Sequence, residues 1–444
     1  MLNINRHLDD RERVGAPIRV GLVGAGQMGM AFAAQVGRMR GIRLLAVCDL
    51  DPARAADALV AAGWARDGIV DLDAGPSPDG ERPGVTVAAE RLLERPLDAV
   101  VEATGDPEAG ARVADAAIAA GLHVVMLNAE ADATVGPWLA YQAAQRGVVY
   151  TGSAGDEPGA TKELYDFCDA LGFEVLVAGK GKNNPLDPFA TPQSVRAEAV
   201  RRGMNPKMLA SFVDGTKTMV EMTCLANATG LVPDVPGMHG VEADLDTVVD
   251  RLRLVSEGGV LNRYGVVEYV RGLAPGVFVI FRAQHPISLE TLRYVRLGQG
   301  PNFVLYRPYH LTSVETPLSV ARAAIYGEPT IAPLGAPVAE TVAVAKRDLR
   351  PGDRLDGLGG TTVYGLCIEA DRARRDQLLP VGLALPGTRV ARPVRKGEVL
   401  TYGDVEWPSE EPVVLTLRRR QDEHFAAMGP DAHRVPSRTS PPEE

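Results

Sequence analysis

The pattern of apolar and polar positions predicts buried strands that alternate with helices in the first third of the chain. Short apolar runs typical of such strands occupy residues 18–23, 44–49, 97–102, 123–126 and 148–151. Alanine-rich segments separate several of them, as at residues 109–120. Because this alternation is typical of a parallel sheet with helices on its faces, we expect an α/β fold with a Rossmann-type doubly wound sheet.

Later segments differ in pattern and predict further domains. Mixed strands such as residues 276–281 indicate a central α+β domain, and a proline-rich connector follows it. Short strands and glycine turns then indicate a small β-rich module. The predicted division is a polar N-terminal arm (1–16), a Rossmann domain (17–155), a central domain (156–332), a β-rich domain (338–420) and a Pro/Ser/Glu-rich, disordered tail (428–444).

A glycine motif lies between the first strand and the first helix of the Rossmann domain. Gly24-x-Gly26-x-x-Gly29 has the spacing that permits a tight turn and close approach of a pyrophosphate to a helix N-terminus. Asp49 ends the next strand, where an acid would bind a ribose hydroxyl. The predicted cofactor-binding residues are Gly24, Ala25, Gly26, Gln27, Met28, Gly29, Asp49, Ala103, Thr104, Gly105 and Asn128.

The same segment bears on the choice of dinucleotide. Asp49 favours NAD, because a carboxylate suits a free 2′-hydroxyl. Arg54 is close enough in sequence to reach a 2′-phosphate and leaves NADP open. The predicted cofactor is therefore NAD or NADP.

Two charged segments predict a pocket for a polyoxygenated or anionic small molecule. One is a glycine-loosened turn over residues 179–187 that carries two lysines and two asparagines. The other is a predicted helix on which Asp214, Lys217 and Glu221 would share one face, because side chains three and four positions apart are neighbours. Charges on an otherwise apolar helix are costly unless they pair or meet a polar ligand. The alternative interpretation is an exposed turn and a solvated helix face.

The residue types of these segments suit hydride-transfer chemistry. A lysine can stabilise an oxyanion or exchange a proton, and a carboxylate can hold that lysine or bind a divalent metal. The predicted catalytic residues are Lys180, Lys182, Lys217, Glu221 and Asp214, and the predicted substrate-binding residues are Asn183, Asn184, Asn227 and His239. His239 has a structural role as its alternative interpretation. Asp156 and Glu157 are interpreted as helix-start residues, and His310 as structural.

Composition narrows the class of partner. A net charge of −10 argues against nucleic acid, which requires basic surface. The chain has no apolar run long enough to span a membrane and a polar start without a signal sequence, which favours a cytoplasmic location. The four scattered cysteines predict reduced, buried thiols. A small molecule is thus the expected partner.

Several motifs resemble those of a known group of enzymes. The chain resembles homoserine dehydrogenase-like oxidoreductases, and within them the deoxyxylulose phosphate reductoisomerase-like branch, through residues 101–105, 155–159, 179–185, 214–222, 227–231 and 237–240. Residues 345–352 and 395–401 resemble a SAF domain. The resemblance implies a homodimer whose central domain is catalytic and dimerising. It also implies that Lys180, Lys182, Asn183 and Lys217 line the substrate site, with Asp214 and Glu221 nearby.

One departure from the resemblance affects the predicted reaction. Homoserine dehydrogenases typically carry a lysine after the strand-end asparagine, but here Ala129 and Glu130 follow Asn128. We therefore expect an NAD(P)-dependent oxidoreductase acting on a small polyhydroxylated carbonyl or alcohol, either phosphorylated or unphosphorylated. It would be a reductoisomerase or a catabolic dehydrogenase or oxidoisomerase of a sugar acid. The alternatives are a non-redox NAD-dependent lyase or epimerase and a ligand-sensing protein.

Overall fold

A computed structural model describes residues 3–75 and 81–428 of the chain. The predicted disordered tail lies, apart from Met428, outside the described residues. The predicted fold class is confirmed, because a seven-stranded parallel sheet of Rossmann type is joined by a five-stranded mixed sheet and two small two-stranded sheets. The boundaries of the predicted domains stay a prediction.

The seven-stranded sheet is formed by the N-terminal part of the chain in the order β3-β4-β2-β1-β5-β6-β7. Its strands are β1 (Ile18–Val23), β2 (Ile42–Cys48), β3 (Val70–Asp71), β4 (Gly84–Thr86), β5 (Ala99–Glu102), β6 (His123–Met126) and β7 (Tyr150–Gly152). The helices of this part are α1 (Ile4–Arg13), α2 (Gln27–Val36), α3 (Pro52–Ala61), α4 (Ala89–Leu93), α5 (Pro107–Ala119) and α6 (Ala129–Gln145). All neighbouring strands pair in parallel, as alternating strands and helices predict.

The N-terminal segment differs from the predicted polar arm. It forms helix α1, and Ile4 and Leu8 of that helix are buried. These two apolar side chains lie four positions apart, so they share one helix face and pack on the body of the protein. The polar residues of the segment occupy the remaining, solvent-facing side.

The mixed sheet follows in the order β12-β11-β8-β10-β9. Its strands are β8 (Glu174–Gly181), β9 (Val232–Pro233), β10 (Val266–Val270), β11 (Val277–Arg282) and β12 (Asn302–Arg307). The helices here are α7 (Glu157–Ala170), α8 (Arg196–Arg202), α9 (Pro206–Val213), α10 (Thr216–Thr229), α11 (Val248–Arg251), α12 (Pro286–Tyr294) and α13 (Thr316–Tyr326). Strands β9, β10 and β8 run parallel, whereas β11 is antiparallel to both of its neighbours.

The C-terminal module contains β13 (Ala339–Ala345), β14 (Val363–Glu369), β15 (Arg389–Val390) and β16 (Val405–Glu406), with helices α14 (Ala370–Arg375) and α15 (Val413–Ala427). Strands β13 and β14 pair with each other, and so do β15 and β16, both antiparallel. Helix α15, which was not predicted, packs on α5 and α6 of the N-terminal part.

Helix α10 lies where the three parts of the chain meet. It contacts α6, α7, β10, β13 and β14. From Thr218 to Thr229 every residue of this helix is buried. Since a helix that is buried on all sides has no solvated face, its charged residues must find their partners inside the protein.

The last two sequence-based expectations concern membrane-spanning helices and the state of the cysteines. In residues 3–75 and 81–428, no helix is both long enough and apolar enough to cross a membrane. The four cysteines, Cys48, Cys168, Cys224 and Cys367, are unpaired and buried, as predicted.

Candidate functional site

The glycine loop connects β1 directly to α2, and each glycine has a distinct steric role. Gly24 has a φ of +93°, and a Cβ there would lie 2.7 Å from the carbonyl carbon of Ala103. A Cβ at Gly29 would lie 1.9 Å from the carbonyl oxygen of Gly24. A Cβ at Gly26 would meet no atom within 4 Å. Gly26 is also the N-cap residue of α2, and it has no side chain to bond the backbone N–H groups of the first turn. The loop therefore leaves open space in front of a helix N-terminus, which suits a pyrophosphate.

Asp49 is fixed beside this loop. Its Oδ2 accepts a hydrogen bond from the Ala25 backbone N–H at 2.7 Å, and its Oδ1 accepts one from the Asp51 N–H at 2.9 Å. The Arg54 guanidinium lies 3.8 Å from Asp49 Oδ1 and stays half exposed. The acid and the arginine therefore stand together at the predicted ribose position, and the choice between NAD and NADP stays a prediction.

The carboxyl end of β5 forms the next part of the predicted cofactor site. Glu102 is fully buried and accepts hydrogen bonds from the backbone N–H and the hydroxyl of Thr104. Burial raises the pKa of Glu102 to about 7. Asn128 donates to the Asp106 carbonyl at 2.8 Å and accepts from the Ala131 N–H at 3.1 Å. Asn128 thus caps α6, a structural role in place of the predicted cofactor contact.

A cleft of about 350 Å³ joins the glycine loop to the charged segments. Gly26, Gln27 and Met28 line it on one side, with Ala103, Thr104 and Gly105 beside them. Further wall residues are Glu130, Asn205, Lys207, Ser211, Phe212 and Lys217. The C-terminal module supplies an apolar wall through Gly357, Leu358, Val381, Gly382, Ala384, Leu385 and Pro386. Three distant parts of the chain thus share one cleft.

Lys180 and Lys217 lie in a cluster of carboxylates beside this cleft. The Lys180 ammonium is 2.6 Å from Glu157 Oε1 and also bonds to Glu221. Lys217 Nζ is 3.6 Å from Glu130 Oε1 and 3.7 Å from Glu221 Oε1. Although burial opposes the charge of both lysines, these carboxylates raise the pKa of each above its ordinary value. Both lysines are therefore permanent cations.

The carboxylates of the cluster differ in their ionisation. Burial, with Glu157 nearby, raises the pKa of Glu221 to about 8. Burial likewise raises the pKa of Asp156 to about 6. Burial also opposes the charge of Glu157, but Lys180 and His310 hold the pKa of that carboxyl below its ordinary value. Near neutral pH the cluster can therefore both give and take a proton.

Lys182 has a different environment. Its ammonium donates to the Phe212 carbonyl at 2.8 Å, and its side chain is mostly buried. Within the described residues no carboxylate oxygen lies within ion-pair distance of Lys182 Nζ. Burial and the neighbouring Lys180 lower the pKa of Lys182 from 10.5 to about 8. This lysine can thus exchange a proton near physiological pH.

Sequence reasoning missed several members of the cluster. His310 Nε2 lies 3.4 Å from Glu157 Oε1, and its Nδ1 is 3.0 Å from the Gly155 carbonyl oxygen. Asp156 and Glu157 do begin helix α7, as interpreted, and Glu157 also pairs with Lys180. Glu130 comes from the first turn of α6. In the sequence, Glu130 was indicated only by its position two residues after Asn128, which follows a predicted strand.

Two predicted site residues have structural partners instead. Asp214 ends α9 rather than lying on α10, and its carboxylate pairs with Lys346 at 2.7 Å. Asn227 Oδ1 accepts the backbone N–H groups of Val338 and Ala339 at 2.9 and 3.0 Å. Asp214 and Asn227 are almost fully buried in these contacts. They are therefore removed from the candidate site.

The remaining predicted residues lie around the lysine cluster without joining it. His239 Nε2 is 2.7 Å from Asp234 Oδ2, and the His239 backbone N–H donates to Glu268. Asn183 is exposed, and Asn184 Oδ1 accepts from Arg202 at 3.2 Å. His239 therefore has the structural role given as its alternative interpretation. Asn183 and Asn184 lie on the loop that follows Lys182 and stay candidates for substrate contact.

Three carboxylates offer a possible place for a cation. In the part of the chain that the structure describes, Asp156, Glu157 and Glu221 each have an oxygen within 4.8 Å of the other two. Hard oxygen ligands of this kind suit a divalent metal. Because the Lys180 ammonium already bonds to Glu157 and Glu221, a cation would have to displace it. The residues fit a metal only with that rearrangement.

Comparison with known proteins supports an oxidoreductase. Residues 155–316, a little over a third of the chain, match the family described as oxidoreductase DRL, catalytic domain. This segment contains Lys180, Lys182, Lys217, Glu221 and His310. No curated protein matches the chain.

Solved structures with a similar fold are distant. GenD2 from gentamicin A biosynthesis, solved with NAD, is 15% identical, covers 70% of this chain and 88% of its own, and has a TM-score of 0.36. A probable dehydrogenase from Thermotoga maritima is 13% identical, with coverages of 72% and 91% and a TM-score of 0.41. Scyllo-inositol dehydrogenase from Lactobacillus casei is 12% identical, with coverages of 70% and 89% and a TM-score of 0.40. These likenesses are too distant to assign a substrate.

Proposed function

We propose that this chain is an NAD(P)-dependent oxidoreductase acting on a small polyhydroxylated carbonyl or alcohol. The observation that carries the proposal is the shared cleft, which Gly26 at the N-terminus of α2 lines together with Lys217 and Glu130. The match of residues 155–316 to an oxidoreductase catalytic domain supports it. The bound nicotinamide would supply the hydride donor or acceptor.

The chain's own residues divide the remaining work. Lys217 lines the cleft as a permanent cation and would bind a substrate oxygen. Lys182 does not line the cleft, but its ammonium bonds to the carbonyl of Phe212, which does. With its pKa lowered to about 8 by burial, Lys182 would donate or accept the proton that accompanies hydride transfer. Lys180 would hold Glu157 and Glu221 in place, because its ammonium is already occupied by both carboxylates.

Two finer forms of the reaction have specific support. A reductoisomerase that rearranges and reduces a ketose phosphate is favoured by the sequence resemblance and by the three carboxylates that could accept a cation. Catabolic oxidation of an unphosphorylated sugar acid or polyol is favoured by Asp49, whose position suits NAD. The implied homodimer also stays a prediction.

The first experiment tests the cofactor site with a matched pair of glycine variants. Gly26→Ala adds a methyl group in front of α2, where it meets no atom within 4 Å. Gly68→Ala, in the short 3-10 helix of residues 66–68, adds the same group and also meets no atom within 4 Å. Both variants should fold. We expect Gly26→Ala to weaken NADH or NADPH binding by at least about tenfold, since the methyl group occupies the pyrophosphate position. Fluorescence titration measures this, and equal affinities for both variants would contradict the cofactor site.

The second experiment separates the finer reactions. Thermal shift with each dinucleotide, followed by ketose phosphates or sugar acids, reports which ligands stabilise the folded state. An NADPH response increased by a ketose phosphate, together with loss of turnover on chelation, supports the reductoisomerase. An NAD response increased by an unphosphorylated acid supports the catabolic dehydrogenase. No response to any dinucleotide would refute the oxidoreductase proposal.

A further inference from the structure

Lys346, directly after β13 in the C-terminal module, makes a fully buried ion pair with the central part of the chain. Its ammonium lies 2.7 Å from Asp214 Oδ2, with both side chains at most 1% exposed. The same ammonium donates to the carbonyls of Ala190 at 2.6 Å and Gly360 at 2.8 Å. One ion pair and two hydrogen bonds thus offset the cost of burying the ammonium.

Asp214, the partner of Lys346, lies at the junction that joins α9 to α10. Two residues before it, the Phe212 carbonyl accepts the Lys182 ammonium at 2.8 Å. Three residues after it, Lys217 reaches the cleft. A shift of the Asp214 backbone would therefore move the acceptor of one candidate catalytic lysine and the base of the other.

Two further contacts attach α9 and the start of α10 to the C-terminal module. Thr216 Oγ1 accepts the Gly365 backbone N–H at 2.8 Å, and the Lys207 ammonium donates to the Asp356 carbonyl at 2.5 Å. Asp214 Oδ1 also accepts the Thr216 N–H at 2.8 Å. The module that supplies the apolar wall of the cleft therefore also contacts the segment that carries Phe212 and Lys217.

We infer that Lys346 is a positioning residue, through which the C-terminal module sets the α9–α10 junction and so the placement of Lys182 and Lys217. The inference rests on the proposed function for its effect on turnover, but its effect on geometry is independent of it. The C-terminal module would then position the candidate catalytic lysines as well as supply a wall of the cleft.

A second buried ion pair of the same module provides the control. Arg418 of α15 bonds to Glu340 of β13, with side chains 9% and 3% exposed. Neither residue lines the cleft, and the hydrogen bonds and ion pairs of Arg418 do not involve residues 212–217. Arg418→Met therefore breaks a comparable buried ion pair, leaving Glu340 without this partner, and makes no change at the α9–α10 junction.

The experiment compares Lys346→Met, Lys346→Met/Asp214→Asn and Arg418→Met in the full chain. Lys346→Met leaves Asp214 buried and unpaired, so its melting temperature should fall. The double variant also removes the carboxylate charge, while the asparagine keeps an amide oxygen for the Thr216 N–H, so it should recover most of that stability. If Lys346 only stabilises the fold, the double variant also recovers full turnover.

We expect the double variant to stay about 100-fold low in kcat, because small displacements of reacting groups have effects of this size. We also expect its Lys182 to react about tenfold faster with an acylating reagent at alkaline pH, measured by mass spectrometry, because loss of the Phe212 contact uncovers it. Arg418→Met should show neither change at a temperature where it is folded.

The possible outcomes are distinct. Faster Lys182 acylation in the double variant but not in Arg418→Met supports the inference, even if the wild type turns over no substrate tested. Absence of turnover by the wild type would count against the proposed function alone. A folded double variant with wild-type acylation of Lys182 and wild-type kcat would overturn the inference. So would an equal increase in acylation in Arg418→Met.

Discussion

Lys180 and Lys182 lie two positions apart, at the end of β8 and just after it, yet their surroundings are opposite. Lys180 is enclosed by Glu157 and Glu221, which raise its pKa above the ordinary value. Among the described residues, Lys182 Nζ bonds only to the neutral Phe212 carbonyl, and burial, with Lys180 nearby, lowers the pKa of Lys182 to about 8. The difference shows that a lysine's chemistry is set by what the fold brings to it. The acid-rich surroundings make a structural cation, and the acid-poor surroundings make a proton carrier.

The largest expected effect comes from removing the proton carrier. Lys182→Met should lower kcat by about 100- to 10,000-fold, the usual contribution of a positioned acid or base. The melting temperature should be kept or raised, because a buried cation is replaced by an apolar side chain. Steady-state kinetics and calorimetry measure the two quantities. Lys162→Met on α7, whose lysine pairs with Asp166, is the control. Full turnover in Lys182→Met would remove Lys182 from the mechanism.

Removing the structural cation should instead act on stability. Lys180→Met leaves Glu157 and Glu221 buried without their nearest cation and should lower the free energy of unfolding by about 3–5 kcal/mol. Urea denaturation measures it. Adding Glu221→Gln should return part of the loss, since one uncompensated carboxylate is removed. A Lys180→Met variant as stable as the wild type would contradict the assignment of a structural role.

The pH profile should distinguish the same two lysines by a smaller effect. Lys182 is protonated below its pKa of about 8 and neutral above it. If its ammonium donates the proton, kcat should fall by up to about tenfold for each pH unit above this value. Lys182→Arg, whose guanidinium stays charged, should move that limb to higher pH if it keeps measurable activity. A limb left in place would assign it to another group, such as Glu221.

The smallest effect is expected outside the cluster. His239 pairs with Asp234 rather than with either lysine. His239→Gln should therefore change kcat by less than about twofold and lower stability by about 1 kcal/mol, the usual contribution of one hydrogen bond. Kinetics and urea denaturation check both. A large loss of kcat at unchanged stability would place His239 back in the substrate site.

The sequence predicted best what lies close together in the chain. The strands around residues 18–49 and the loop from Gly24 to Gly29 follow from local spacing, because their partners are neighbours in sequence. The same local reasoning failed for Asp214, whose partner Lys346 is more than a hundred residues away. Asp214 lies outside α10, which begins only at Thr216, whereas Lys217 and Glu221 do share a face of that helix, with Nζ and Oε1 3.7 Å apart.

The charged cluster illustrates the same limit. Glu130, Glu157, Lys180, Lys217 and His310 come from five separate segments, and only the fold brings them together. Their residue types were visible in the sequence, but the pairing that makes one lysine structural and its neighbour reactive was not. Asn128 and Asn227 show the converse, because polar side chains expected at the site serve as backbone caps.

The most direct test of the central claim is whether a dinucleotide shields a lysine that lines the proposed cofactor cleft. Lys207 lines this cleft and is exposed, so its acylation is measured by mass spectrometry with and without NADH or NADPH. Lys162, which does not line the cleft, serves as the internal reference. We expect the cofactor to slow the labelling of Lys207 several-fold and to leave that of Lys162 unchanged. Equal labelling of Lys207 with and without saturating dinucleotide would contradict the proposed cofactor cleft.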